Sequence, residues 1–93
     1  MRLVAKFAAA LPSLCEEIEA TLASGELRRT AELAHRLKGS AGGYGFAPIM
    51  EAAKRLEALA TRDAIEECRQ VTEQLRGLVS RVRVEPASGG HSS

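Results

Sequence analysis

The sequence predicts an all-α fold, an antiparallel four-helix bundle, on three observations. Apolar residues recur at spacings of three and four through four separate stretches, the mark of helices with one buried face. The breaks between them are short and carry turn-prone residues: Ser24-Gly25, the run Gly42-Gly43-Tyr44-Gly45, and Thr61-Arg62. The chain has 93 residues, 45% hydrophobic with only Phe7, Tyr44 and Phe46 aromatic, which suits one domain with an aliphatic core of closely packed helices. Short links between four such helices favour antiparallel neighbours.

The first helix spans residues 2–23, with Leu3, Val4, Phe7, Leu11, Leu14, Ile18 and Leu22 on its stripe. Pro12 lacks an N–H and crowds the preceding turn, so this helix is expected to be kinked or split near that residue. Gly25 is a natural terminator. The second helix runs from Glu26 to about Gly42 through Leu27, Thr30, Ala34, Leu37 and Ala41, with Ala31 and Leu33 on the flanks. At 100° per residue His35 stands roughly 130° from the centre of that stripe, so its imidazole is expected outside the core. A third helix fits residues 47–60, with Pro48 in its first turn and Ile49, Ala52 or Ala53, Leu56 and Leu59 inward. The fourth fits about 63–83, with Ile65, Cys68, Val71 or Thr72, Leu75, Leu78 or Val79, and Val82 inward and Thr61 or Asp63 as its cap. The bundle domain therefore covers 1–84, and the Pro, Ser and Gly composition of 85–93 predicts a disordered tail.

Thirteen basic against twelve acidic side chains give a net charge of +1, no electrostatic case for nucleic acid. No apolar run is long enough for a membrane span, and Pro12 with the acidic residues from Glu16 onward makes a poor signal peptide, so a cytoplasmic domain is expected. Cys15 and Cys68 lack CxxC spacing. A disulfide between them is open in principle; two free thiols packed as small hydrophobes in a reducing compartment is the plainer reading. No set of ligands suggests zinc. Gly39-Ser40-Ala41-Gly42-Gly43-Tyr44-Gly45 follows a helix rather than a strand, which excludes a nucleotide-binding loop or a nucleophile elbow.

What remains is a lone solvent-facing histidine with a cation one turn on. A neutral imidazole is a competent nucleophile at physiological pH. Phosphoryl transfer to His35 would place anionic oxygens above the helix, within reach of Lys38 at i+3. Gly39 at i+4 leaves room for a bulky partner, and Gly42 and Ala31 keep the same strip low on either side. Each has a bland counterpart: an exposed histidine of no consequence, a solvated lysine, a mid-helix glycine.

His35-Arg36-Leu37-Lys38-Gly39-Ser40-Ala41 followed by Gly45 resembles the signature of histidine-containing phosphotransfer (HPt) domains of multistep phosphorelays. Ser24-Gly25-Glu26-Leu27, Leu33-Ala34, Phe46 and Leu56-Glu57 fit the family's usual run, so the likeness covers about residues 3–83. It implies that His35 accepts phosphoryl on Nε2 from a receiver-domain aspartate and passes it to another. Lys38 would support the phosphate, Gly39 would permit close docking and Gly45 would shape the loop. Such a carrier has no kinase or phosphatase activity of its own and no intrinsic cofactor; the Mg²⁺ sits on the receiver. Partners would be response-regulator receiver domains, that of a hybrid histidine kinase among them, and the carrier itself a monomer. The rest of the docking face is expected on the first helix at Ala8, Leu11 and Cys15, although Leu11 fits the core equally well. Arg28 suits a rim contact to an acidic receiver or plain solvation, and Arg36 points away and is solvated.

Two rival readings stay open. One is a bundle that binds a receiver or kinase without being phosphorylated. The other is the phosphoacceptor domain of a chemotaxis-type histidine kinase, which requires a much larger chain; this one, from Met1 to its tail, would be standalone or an excised piece.

Overall fold

A computed structural model describes residues 2–82, with side chains from Ala5 onward. It contains α1 (Arg2–Ala23), α2 (Leu27–Gly43), α3 (Ala47–Thr61) and α4 (Ile65–Arg81). α1 packs on α2 and α4, and α3 packs on the same two, closing a four-helix bundle whose successive helices reverse direction. Leu3, Val4 and the tail expected over 85–93 lie outside the residues whose side chains are described.

α1 runs unbroken through Pro12, so the helix is not split there. Pro12 is exposed, and the carbonyl of Ala8 simply lacks its usual helical donor. The three connections share one geometry. Gly25 (φ 78°), Gly45 (φ 84°) and Asp63 (φ 59°) each take the left-handed conformation two residues past the last residue of a helix. The next residue then donates its N–H back to a carbonyl five residues earlier: Glu26 to Thr21 at 2.8 Å, Phe46 to Ala41 at 2.8 Å, Ala64 to Leu59 at 3.0 Å. This is the Schellman arrangement, and it satisfies carbonyls that a helix end would otherwise leave unpaired. Two of the three positions carry the glycine that such backbone favours; the third carries aspartate.

Asp63 and Thr61 are therefore not the caps of α4. Its N-cap is Ala64, with no side-chain hydrogen bond, and the Thr61 hydroxyl donates back to the Glu57 carbonyl at 2.8 Å.

The core follows the expected stripes, with Leu11, Ile18, Leu33, Leu37, Leu56, Leu75 and Cys68 almost wholly inaccessible. Leu33, placed on the flank by its spacing, is buried because α1 and α3 cover both sides of the α2 stripe. Ala52 and Ala53 are both inward, as are Val71 and Thr72, while Leu59 and Leu78 are half-buried at the edge. Cys15 and Cys68 are free thiols in the interior.

α2 and α3 form the most extensive of the helix pairings. Small buried side chains, Ala34, Ala41, Ala52 and Ala53, let the two backbones approach. Gly42 extends that contact: a Cβ there would stand 3.0 Å from the Met50 sulfur. Gly42 itself remains exposed, with Met50 of α3 half-buried beside it.

Between α1 and α2 the buried Thr30 hydroxyl lies 2.8 Å from that of Thr21. Thr21 also lies 2.9 Å from the Ile18 carbonyl and Thr30 3.1 Å from the Glu26 carbonyl. Two hydroxyl protons serve three contacts, so only two are hydrogen bonds at any moment.

Candidate functional site

His35 sits in the middle of α2, on the flank that faces α3, with its side chain 65% exposed. The ring is outside the core, as its angle on the helix predicts. Its Nδ1 lies 3.0 Å from Oε2 of Glu57 on α3, and the other carboxylate oxygen of Glu57 lies 2.9 Å from Nζ of Lys38. One carboxylate thus bridges the histidine and the lysine that α2 presents one turn apart.

The Lys38 ammonium, hydrogen-bonded to Glu57, is the main cause that holds its carboxyl below the ordinary carboxylate range, and the His35 hydrogen bond adds to it. Glu57 is then ionised at neutral pH and can only accept. The hydrogen between Nδ1 and Oε2 must therefore sit on Nδ1. In the neutral ring this leaves the lone pair on Nε2, the nitrogen that Glu57 does not engage. A nucleophile with a fixed tautomer and an open approach is what the arrangement offers chemically.

The surroundings of Nε2 are low. Gly39 is exposed, and a Cβ built there meets nothing within 4 Å. Ala31 is half-buried on the wall of a shallow depression beside His35, which Arg28, Arg36 and Glu57 also line. Arg36, next to His35 in sequence, is exposed and also borders this depression. Gly45 lies in the turn that reverses the chain from α2 to α3 and so sets the pairing that delivers Glu57. Tyr44, in the same turn, stacks on Phe7 of α1 with ring centroids 4.9 Å apart, and Phe46 approaches Phe7 at 5.5 Å.

Three residues expected on the docking face are not available for it. Leu11 is 1% exposed, Cys15 4% and Ala8 8%, so all three face the interior. The reason is rotational. His35 sits on the α3 flank of α2, whereas α1 packs on the other flank, where Glu17 meets Arg29 at 3.6 Å. Burial also pushes the Cys15 thiol up to about 11, so it is protonated at neutral pH.

Glu57 is the site residue that sequence reasoning passed over. It lies 22 residues from His35, and only the hairpin pairing of α2 and α3 brings the two together. The available signal was an acidic residue beside the inward Leu56 on the helix following the histidine. Among the described residues no three His, Cys, Asp or Glu side chains gather as metal ligands, and no described helix is long and apolar enough to cross a membrane.

A family model for the Hpt domain matches residues 2–85, nearly the whole chain. Comparison with curated proteins and with solved structures returns no match. Hpt domains serve histidine phosphotransfer in phosphorelays and interact with receiver domains of response regulators. An all-helical bundle that presents a histidine on its second helix agrees with that match, and the chain belongs to the Hpt domain family.

Proposed function

We propose that His35 is the phosphoacceptor, taking phosphoryl on Nε2 from the aspartyl phosphate of one receiver domain and delivering it to the aspartate of another. The observation that carries this is the Glu57–His35 contact, which commits Nδ1 to a hydrogen bond and leaves Nε2 as the exposed lone pair. In the forward step the Nε2 lone pair forms the N–P bond, the P–O bond of the acyl phosphate breaks, and the donor aspartate leaves as carboxylate. The ring acquires positive charge as the bond forms, with Nδ1 still protonated, and the Glu57 carboxylate stabilises that charge in place. Lys38 has three ammonium hydrogens and gives one to Glu57, so the others can meet phosphoryl oxygens. Gly39 lets the receiver's backbone approach the ring.

One nucleophile, one cation and one carboxylate make a carrier, with no kinase or phosphatase activity of its own. The Mg²⁺ and the remaining catalytic groups belong to the receiver, and the protein acts as a cytoplasmic monomer. The receiver of a hybrid histidine kinase is a natural donor. Incubation with phosphorylated receivers should place an acid-labile, base-stable phosphate on the protein, absent from His35→Gln with its helical circular dichroism intact. Binding to a receiver without any phosphate appearing would favour a pure interaction module instead.

A further inference from the structure

α2 is the most one-sided element of the chain in charge: Arg28, Arg29, Arg36 and Lys38 stand against Glu32 alone. Two of the four cations are neutralised where they stand. Arg29 meets Glu17 at 3.6 Å and Glu32 at 3.2 Å, and Lys38 meets Glu57 at 2.9 Å. Arg28 and Arg36 are exposed and enter no salt bridge among the described residues. Both line the depression that holds His35. Arg28 precedes the histidine by two turns on nearly the same line, about 10 Å along the axis, and Arg36 stands about 100° round from it. Two uncommitted guanidinium groups therefore flank the imidazole.

Elsewhere no helix carries a net positive charge, Arg2 and Lys6 of α1 being outweighed by the acidic residues further along it. α4 sets Glu66, Glu67 and Glu73 against Arg69, Arg76 and Arg81, and the C-terminal half of α1 adds Glu16, Glu17 and Glu19. The positive field is thus concentrated on the face that carries the nucleophile, although the whole chain is only +1.

We infer that Arg28 and Arg36 determine partner choice, favouring receiver domains whose surface around the phosphoaspartate carries acidic side chains. This rests on the reading of His35 as phosphoacceptor. Guanidinium groups pair with carboxylates in bidentate geometry, and such pairs at the rim of an interface speed encounter and reject like-charged competitors more than they deepen affinity. Partner choice is therefore read in the transfer rate at limiting receiver.

The test compares wild type, Arg28→Glu/Arg36→Glu and, as a control of equal net charge, Arg69→Glu/Arg81→Glu on α4. Each is incubated with a panel of phosphorylated receivers of the source organism, at low and at high salt. The preferred receiver should have an acidic surface, and transfer from it should slow about tenfold in the α2 variant at low salt, with the gap closing at about 0.5 M salt. The α4 control should stay within about twofold of wild type, because its charges are far from the docking face. Equal rates for wild type and the α2 variant, or equal slowing in both variants, overturn the charge proposal while leaving the phosphoacceptor intact. No phosphate on wild-type His35 from any receiver overturns that reading, and this proposal with it.

Discussion

Nδ1 of His35 lies 3.0 Å from Oε2 of Glu57, across the α2–α3 contact, and that separation decides which ring nitrogen is free. Glu57→Ala removes the acceptor, and the ring should drift toward the tautomer with hydrogen on Nε2. Glu57→Gln keeps a carbonyl that can accept from Nδ1–H and should hold the tautomer while losing the charge. The ¹⁵N shifts of the ring report this directly. Transfer to His35 should slow about tenfold in Glu57→Ala, the equivalent of one charged hydrogen bond at about 1.5 kcal/mol, and less in Glu57→Gln. Unchanged ring shifts in Glu57→Ala would show that Glu57 does not set the tautomer.

Gly39 separates stability from function. Its Cβ position is empty space in mid-helix, so Gly39→Ala should stabilise the fold by about 0.8–1 kcal/mol, and raise Tm by about 4–8 °C in a domain of this size. The same methyl should slow transfer from a receiver, because it stands where the partner must approach. A variant that is both more stable and equally fast would remove any docking role for this glycine.

Acid should weaken the bundle partly through Glu57. Its folded pKa is depressed, so the stability it contributes is fully present above the ordinary value of 4.5 and is lost as pH falls through the lower folded value. Urea midpoints of wild type and Glu57→Gln should therefore differ by a constant amount near neutrality, and the gap should narrow as the medium is acidified below about pH 4.5. A gap that stays constant down to pH 2 would mean that the carboxylate adds nothing to folding.

Asp63 occupies a position for which the two sister turns use glycine. With φ at 59° it bears a conformational cost that Gly25 and Gly45 avoid. Asp63→Gly should stabilise the bundle by about 0.5–1 kcal/mol, and Gly45→Ala should destabilise it by about 1 kcal/mol or more. Thermal melts of both settle the sign.

Much of this was legible in the sequence because helical periodicity is a local property. The four stripes, their boundaries to within a residue or two, and the outward placement of His35 all follow from angles counted along one helix. Neighbour identity does not. A helical wheel places His35 about 130° from the buried stripe but does not say whether α1 or α3 stands on that side. Through that gap the sequence places Ala8, Leu11 and Cys15 on the docking face and gives Glu57 no place in the site. The turn at Asp63 is ambiguous in sequence for a related reason: aspartate serves both as a helix cap and as a left-handed residue, and only the backbone decides between them.

Nε2 of His35 is the atom proposed to receive phosphorus. Phosphorus-31 NMR of the protein charged by a phosphorylated receiver, read together with the ¹⁵N shifts of the ring, locates the N–P bond. The prediction is one phosphohistidine, bonded at Nε2 of His35, with Nδ1 still protonated against Glu57. Phosphate bonded at Nδ1, or on any other residue, would contradict it.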